Sequence, residues 1–277
     1  GGMLMNRNKK KLKVWKFAIG ETKDCLADAK MVTVPHTWNV DEGLYEYAGS
    51  GWYEYQLTMP AVRKERRFFL EFGAVYHDAW VYVNDILAGE HLHSGYTAFT
   101  VEITDYIKEG ENQIIVRADN SFSDKMLPYK RSFDWANDGG MIRDVCLYET
   151  GMGRIAGVSA ICEPVLAQTG KRQRGGSALW GLDLELDSRE WGTCFDQLDW
   201  KLKWKLHGGK SIGPAAAGEA PVAAGKNQAV RQVLDNITYW HFDAPVLYML
   251  ELELCCDGVV QDIYKMKTGF RKIEVCA

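Results

Sequence analysis

Short runs in which apolar and polar residues alternate cover most of this chain, and helical periodicity is almost absent. Alternation with a period of two places successive side chains on opposite faces of a strand, so each run predicts a half-buried β-strand. The runs recur about every 8–12 residues with Gly, Asp and Asn between them, a spacing typical of all-β sandwiches. The clearest strands predicted in the first half are 52–59, 67–72, 79–83, 97–103, 113–118 and 145–149.

Two turns are also predicted within this first half. Asn84-Asp85, between Val83 and Ile86, suits a tight hairpin because both residues tolerate positive φ. The stretch from Thr104 to Gly110 predicts a single helical turn closed by glycine.

The character of the sequence changes near residues 151–164, where a second set of alternating runs begins. A basic, Gly-rich stretch at 168–177 predicts a surface insertion, and a stretch rich in Gly, Ala and Pro at 208–225 predicts a loop. We therefore expect two β-sandwich domains in series, at residues 1–152 and 153–277. The strands predicted in the second domain are 155–162, 179–186, 198–206, 229–234, 247–255 and 261–268.

Charge and composition exclude several classes of function. With 277 residues and a net charge of −4, the chain has no global field that attracts nucleic acid or an anionic membrane. Its basic concentrations, around Lys9–Lys13 and Lys171–Arg174, are expected to be solvated charge in a terminus or linker. No apolar run approaches the roughly 18 residues that a membrane-spanning helix needs, so neither nucleic acid nor membrane is an expected partner.

Cysteine usage and the N-terminus bear on the compartment. The seven cysteines include no CxxC pair, which favours buried free thiols in a reducing interior over disulfides or a zinc site. The start of the chain shows no signal peptide. Gly1-Gly2 before Met3 is typical of an expression scar. A cytoplasmic location is slightly favoured, and a periplasmic or secreted one follows if a leader was removed.

A set of short motifs follows a fixed order along nearly the whole chain. The motifs are Trp15-Lys16-Phe17, Val34 to Asn39, Gly51-Trp52-Tyr53, Val81 to Asn84, Gly95 to Phe99, Gly110 to Val116, Asp119-Asn120, Gly139 to Val145, Trp240 with Pro245 to Tyr248, and Gly269-Phe270-Arg271. This ordered set resembles the non-catalytic front half of glycoside hydrolase family 2, the family of β-galactosidases, β-glucuronidases and β-mannosidases.

The resemblance implies a jelly-roll, galactose-binding-like sandwich followed by an immunoglobulin-like sandwich. In the family, a (β/α)₈ barrel that carries both catalytic glutamates follows the Gly-Phe-Arg strand. Retaining glycosidases need two carboxylates about 5–5.5 Å apart, and we expect this chain to contain no catalytic residue and to be inactive alone. Asp183, Glu185 and Asp187 alternate on one strand, and a solvated sheet face is the favoured interpretation. The implied partners are the barrel and a β-glycoside carbohydrate, and no cofactor is expected.

The polar loop Asp134–Gly140 is the strongest candidate for ligand contact. In the family, an aspartate several residues before the Gly-Gly pair touches the sugar, and by position that residue is Asp134. Its carboxylate would accept hydrogen bonds from sugar hydroxyls and orient the ring without doing chemistry. Asn137 and Asp138 are further candidates. The alternative is that these three residues only form Asx turns that shape the loop.

The long polar and aromatic loop between Trp38 and Gly51 supplies a second tier of substrate-contact candidates, Asp41, Glu42, Tyr45 and Tyr47. In some relatives the corresponding loop borders the active site. The alternative is a surface loop whose tyrosines pack on the edge of the domain.

Three histidines, His77, His91 and His93, suggest a metal site. His91 and His93 share a face if their segment is a strand, but two histidines without a placed third ligand are weak evidence. We therefore expect satisfied or surface histidines and no metal. His36 is expected to brace its loop rather than to catalyse.

Two functions of other classes compete with that of a glycosidase fragment. A free-standing carbohydrate-binding module predicts sugar affinity and an exposed row of aromatic residues on one sandwich face. An interaction protein built of sandwich domains predicts a protein partner and no sugar affinity.

Overall fold

The structure, a computed structural model, describes residues 7–61, 65–131, 134–166, 173–189, 198–208 and 214–273. It divides into two compact units. The first is Asn8–Glu149, and the second is Thr150–Ala277 together with Gly1–Arg7. The predicted all-β fold class is confirmed: helical structure in the described residues is confined to the short 3-10 segments Lys23–Asp28 and Trp38–Val40.

The described residues of the first unit form ten strands in two sheets. The six-stranded sheet has the order β3-β2-β4-β9-β6-β7, and the four-stranded sheet has the order β1-β10-β5-β8. The strands are β1 (Lys10–Lys11), β2 (Val14–Ile19), β3 (Lys30–Thr33), β4 (Ser50–Met59), β5 (Arg67–Phe72), β6 (Asp78–Val83), β7 (Ile86–His91), β8 (Phe99–Glu102), β9 (Gly110–Asp119) and β10 (Val145–Thr150).

Both sheets of this unit contribute to one hydrophobic core. Tyr53 and Val116 from the six-stranded sheet are fully buried in the same cluster as Phe72 and Val145 from the four-stranded sheet. Alternate residues of β6 point inward, which is the burial pattern that the sequence predicts. The expected Asn84-Asp85 hairpin joins β6 to β7 with φ values of 50° and 66°, so that prediction is confirmed.

The second unit pairs a three-stranded sheet, β11-β12-β15, with a four-stranded sheet, β14-β13-β16-β17. Trp200 and Trp204 project from one face of β13 into its core, as their even spacing predicts. The strands are β11 (Gly153–Pro164), β12 (Gly175–Ser188), β13 (Trp200–Gly208), β14 (Pro214–Pro221), β15 (Gly225–Thr238), β16 (Tyr248–Cys256) and β17 (Val259–Thr268).

Two predictions for the second unit need correction. The stretch 208–225 is not simply a loop, because β14 pairs antiparallel with β13 along its length. Its small apolar residues hide the alternation, since alanine carries almost no periodic signal, and an edge position tolerates the flanking prolines. In the predicted insertion 168–177, Gly175–Ser177 begins β12, and 168–172 lie outside the described residues.

Candidate functional site

An open cleft of about 880 Å³ lies on the first unit, where two loops meet at the end of β9. The first loop follows the Trp38–Val40 helical segment, and the second is the long connection from β9 to β10, which contributes residues from its start and from its later part. The lining residues combine carboxylates, amides, aromatic rings and one guanidinium. They are Asn39, Tyr45, Glu46, Tyr47, Phe122, Arg131, Asp134, Trp135, Ala136, Asn137 and Asp138.

Three asparagines hold these loops together. The Asn39 amide donates to the carbonyls of Leu44 and Tyr47, both at 2.9 Å, and its Oδ1 accepts from the Gly139 backbone N–H at 2.8 Å. Asn120 donates to the Asn137 carbonyl at 2.7 Å, and the Asn137 side chain returns a bond to the Asn120 carbonyl at 2.8 Å. Asn120 also donates to Asn39 Oδ1 at 3.2 Å. The conformation of the loops at the floor of the cleft is therefore held by side-chain amides that hydrogen-bond the backbone N–H and C=O groups of the loops.

The Gly139-Gly140 pair packs against the unit's own core. A Cβ on Gly139 would lie 2.1 Å from Cζ2 of the buried Trp38. Gly140 has φ of +133°, and a Cβ there would lie 2.5 Å from the His36 carbonyl oxygen. The glycines thus let the loop lie flat on Trp38 and His36, which accounts for them without a ligand.

His36 has the bracing position that the sequence suggests. Its backbone N–H donates to the Met141 carbonyl at 2.9 Å, and its Nδ1 lies 2.8 Å from the Tyr53 hydroxyl. Burial lowers the pKa of His36, so the ring stays neutral near pH 7. Burial also raises the pKa of Tyr53 far above its ordinary value, which makes the phenol a neutral hydrogen-bonding group.

The rim of the cleft is acidic and aromatic. Glu46 forms an ion pair with Arg131, and this hydrogen bond lowers the pKa of Glu46 and keeps it ionised. Tyr45 and Trp135 are 66% and 46% exposed, which is high for large aromatic residues and leaves ring surface open to a ligand. Burial raises the pKa of Tyr76 behind this rim, and the negative charge of Asp138 adds to the effect. Carboxylates can accept hydrogen bonds from sugar hydroxyls, and exposed aromatic rings can pack against the apolar face of a sugar ring.

The structure brings together five of the seven substrate-contact candidates that the sequence offers. Asp134, Asn137 and Asp138 line the cleft, as do Tyr45 and Tyr47. Asp41 and Glu42 are not among the lining residues: Asp41 accepts a bond from Lys30 Nζ at 2.6 Å, and Glu42 is exposed.

Sequence reasoning did not single out Asn39, Glu46, Asn120 or Arg131 as part of this site. Asn39 and Asn120 belong to motifs that carry the family resemblance. In the structure their side chains are buried, at 8% and 0% exposure, and this burial distinguishes them from ordinary loop asparagines. The large majority of buried side-chain amides are hydrogen-bonded, so such a residue indicates a loop held in one conformation. Glu46 and Arg131 carried no comparable signal.

The outer aromatic residues of the six-stranded sheet do not form an open row. The Arg117 guanidinium lies 4.6 Å from the Trp80 ring centroid and 5.9 Å from that of Trp52. Trp52 is only 8% exposed and its Nε1 donates to the Gly20 carbonyl at 2.9 Å. These rings are therefore occupied by the protein itself, so they do not supply the exposed aromatic row expected of a free-standing binding module.

Two aspartates of β12 form ion pairs with arginines of the neighbouring strands. In the second unit, Asp183 pairs with Arg231, and Asp187 accepts from Arg154 at 2.8 Å, which fits a solvated sheet face.

The described cysteines are free thiols: Cys25, Cys146, Cys162, Cys255 and Cys256. Burial raises the pKa of Cys162 to about 11, so this thiol is unreactive at neutral pH. Over the described ranges, no helix has the length and apolarity to span a membrane.

Comparison with known proteins identifies the domain that contains the cleft. Residues 29–151 match the family model described as the sugar binding domain of glycosyl hydrolases family 2. The chain is 28% identical over 256 residues to a putative beta-glucuronidase of Formosa agariphila, and 27% identical over 255 residues to a beta-galactosidase of Thermoanaerobacter pseudethanolicus. These alignments cover 90% and 87% of this chain.

A solved structure of a putative beta-galactosidase from Bacteroides fragilis matches the whole chain with a TM-score of 0.80 at 26% identity. The resemblance predicted from the ordered motifs is therefore confirmed. The chain spans 28% and 30% of the length of the two relatives and 42% of that structure.

Proposed function

We propose that this chain, which carries the sugar-binding domain of glycosyl hydrolase family 2, is the non-catalytic front portion of a retaining β-glycosidase. The chain spans less than half of its relatives, which are named for β-glucuronides and β-galactosides. Its all-β units would support a (β/α)₈ barrel that carries the two catalytic glutamates. The activity would then be hydrolysis of a β-glucuronide or β-galactoside by the complete protein.

The single observation that carries this proposal is the cleft itself. It places Asp134, Asn137 and Asp138 beside the exposed rings of Tyr45 and Trp135, on loops fixed by buried amides. Asn137 Oδ1 is buried without a hydrogen-bond partner among the described residues, and such an acceptor is suited to a ligand hydroxyl. The loop would form one rim of the active site.

Asp134 would orient the sugar by accepting hydrogen bonds from its hydroxyls. A hydrogen bond to a charged group contributes about 1.5–3 kcal/mol, and its loss corresponds to roughly a 10- to 100-fold change in rate. In the complete protein, Asp134→Asn should therefore lower kcat/KM for a nitrophenyl β-glucuronide or β-galactoside by about that factor. Steady-state kinetics on both substrates also identify which sugar the enzyme accepts.

Asp41→Asn is the matched control, because Asp41 is a carboxylate of the neighbouring loop that pairs with Lys30 and does not line the cleft. It should leave kcat/KM within about twofold, as expected for an exposed ion pair. Equal activity of Asp134→Asn and the wild type would contradict the role given to the loop. The chain alone should hydrolyse neither substrate, and turnover by the isolated chain would overturn the proposal as a whole.

A free-standing carbohydrate-binding module is the second candidate, favoured by the exposed Tyr45 and Trp135 rings of the cleft. It requires that the chain alone bind sugar. Calorimetric titration with galactose, glucuronate and their methyl β-glycosides separates the two functions. Saturable binding that is lost in Trp135→Ala would favour the module, whereas a fragment that needs a barrel should show no measurable affinity.

A further inference from the structure

Two histidines and an aspartate of the first unit converge outside the cleft. One ligand atom from each of His77, Asp78 and His93 lies within 4.8 Å of the others. His77 Nδ1 is 2.9 Å from Asp78 Oδ1, and His93 Nδ1 is 3.5 Å from the same oxygen. The site extends from the interior to the surface: the side chains of His77, Asp78 and His93 are 7%, 21% and 40% exposed.

The backbone fixes these three residues before any ligand arrives. His77 immediately precedes β6, and its N–H donates to the Asp119 carbonyl of β9 at 2.9 Å. His93 follows β7 in a left-handed conformation with φ of 58°, and its N–H donates to Asp78 Oδ1 at 2.6 Å. Histidine is among the residues that tolerate the left-handed region of φ and ψ, so position 93 can adopt this turn without glycine. Preorganised donors of this kind lower the cost of ligand binding.

We propose that His77, Asp78 and His93 bind a divalent transition-metal ion of the zinc class. Imidazole and carboxylate donors suit Zn²⁺, and ligands about 2.0–2.1 Å from a tetrahedral zinc lie roughly 3.3 Å from one another. The separations of 2.9 and 3.5 Å from Asp78 Oδ1 bracket that value, and all three ligand atoms lie within 4.8 Å of one another. The exposed side of His93 leaves the fourth position open to water or to an incoming ligand.

His91, the third histidine of the segment, is excluded from this site by its own contacts. Its ring stacks on Phe99 with centroids 4.3 Å apart and an interplanar angle of 14°. Its Nε2 lies 2.9 Å from Thr97 Oγ1. The structure therefore replaces the pair His91 and His93, which the sequence considers, with His77 and His93 joined by Asp78.

A bound ion would fasten the turn after β7 to the start of β6. Tyr76 precedes His77 in the chain, and Tyr96 follows His93 by three residues. The Tyr76 and Tyr96 rings contact each other at 5.2 Å, and Tyr96 contacts Trp135 of the cleft at 5.9 Å. The metal would thus restrict the motion of Tyr76, Tyr96 and Trp135 beside the candidate sugar site. Metal binding by the three residues does not require that the cleft bind a sugar.

The test is calorimetric titration of the untagged 277-residue chain with Zn²⁺, after treatment with EDTA. We expect one Zn²⁺ per chain and a higher Tm in its presence, since an ion that binds only the folded state stabilises it. His93→Asn and Asp78→Asn should weaken binding by at least about tenfold. Asparagine tolerates positive φ at position 93 and keeps an acceptor at position 78, so both variants should melt like the wild type in EDTA.

His91→Asn is the matched control, two residues from His93, and it should bind Zn²⁺ as the wild type does. Substitution of Co²⁺ reports the ligand set: nitrogen and oxygen donors give weak d–d bands, whereas thiolate ligation gives intense charge-transfer absorption. Absence of saturable binding, unchanged binding in His93→Asn, loss of binding in His91→Asn, or a thiolate spectrum would each overturn the proposal.

Discussion

At the residue scale, Gly139 shows how a loop that sequence alone associates with ligand binding is shaped by the core beneath it. Its backbone lies against Trp38, which is fully buried, and three atoms of the indole would fall within 2.6 Å of an added Cβ. Trp38 also packs parallel to Phe17, with centroids 5.9 Å apart. The position of the cleft loop therefore depends on the shape of one core side chain.

Gly139→Ala should destabilise the first unit by about 1–3 kcal/mol, because an added methyl in a packed core forces neighbours apart. Trp38→Phe removes the benzo-ring atoms that the methyl would meet. Nε1 of Trp38 has no hydrogen-bond partner within the described residues, so its removal costs no hydrogen bond there.

The cost of Gly139→Ala should consequently fall by at least about 1 kcal/mol in the Trp38→Phe background, a coupling that a double-mutant cycle measures by urea unfolding. Additive effects of the two substitutions would show that Trp38 does not set the loop position.

At the element scale, one short motif begins a long strand in each unit. Asn112 accepts from the Lys108 N–H and donates to the Lys108 and Gly110 carbonyls at 2.7 and 3.0 Å. Asn227 makes the same three bonds to Ala223 and Gly225. Gly110 and Gly225 have φ of +84° and +87°. The Gly-x-Asn sequence thus closes both loops by the same hydrogen bonds, with glycine supplying the left-handed residue.

The two asparagines differ in burial, which predicts unequal effects of the same substitution. Asn112 is 1% exposed and also accepts from the Asn84 side chain at 2.9 Å, whereas Asn227 bonds at the surface. Asn112→Ala should cost about 2–3 kcal/mol because it removes a buried amide that makes four hydrogen bonds, one of them with the Asn84 side chain. Asn227→Ala should cost less than about 1 kcal/mol, since water replaces the amide. Thermal and urea unfolding of both variants checks this, and equal losses would refute the argument from burial.

At the scale of the whole molecule, Arg7 belongs to the second unit although Asn8, the next residue, belongs to the first. Arg7 forms an ion pair with Asp262 at 2.8 Å, and the side chains are only 5% and 1% exposed. Arg7 also donates to the Ile155 carbonyl, while Asp262 accepts from the Ile155 N–H at 2.7 Å. Burial raises the pKa of Asp262, and the Arg7 charge opposes that rise.

Arg7→Ala should destabilise the second unit by about 3 kcal/mol at pH 7, because it leaves a buried carboxylate without its counter-ion. The folded-state pKa of Asp262 would then rise further above the unfolded value. Asp262 takes up its proton more readily in the folded state, and the protonated carboxyl needs no counter-ion. The loss of stability in Arg7→Ala should therefore shrink as the pH is lowered from 7 towards 5.

Arg174→Ala is the control in the same unit, because Arg174 pairs with Asp243 at 2.9 Å with side chains 57% and 39% exposed. It should change the free energy of unfolding by less than about 1 kcal/mol. Urea unfolding at both pH values measures the two variants, and a deficit in Arg7→Ala that grows on acidification would contradict the assignment.

The sequence by itself determined the elements whose signal is local. Alternation predicted the β-strands and the inward side of Trp200 and Trp204, and Asn84-Asp85 specified a hairpin. Local signals failed where composition masked them, as in the alanine-rich β14. The ordered motifs also indicated the resemblance to glycosyl hydrolases family 2 that the comparison confirms. These features depend on a residue and its close neighbours, because strand pleating and turn dihedrals are properties of a few consecutive residues.

Only the tertiary structure decided which distant residues meet. Asn39, Asn120 and Asn137 come from two loops, with Asn120 and Asn137 17 residues apart in the second, and the site at His77, Asp78 and His93 joins two strands through a turn. The aspartate completes that site and the ring of His91 turns away, a choice that alternation alone cannot make. Such contacts follow from strand register and from how the two sheets close around one core. Register is fixed by the burial of many side chains together, so no single stretch of sequence contains it.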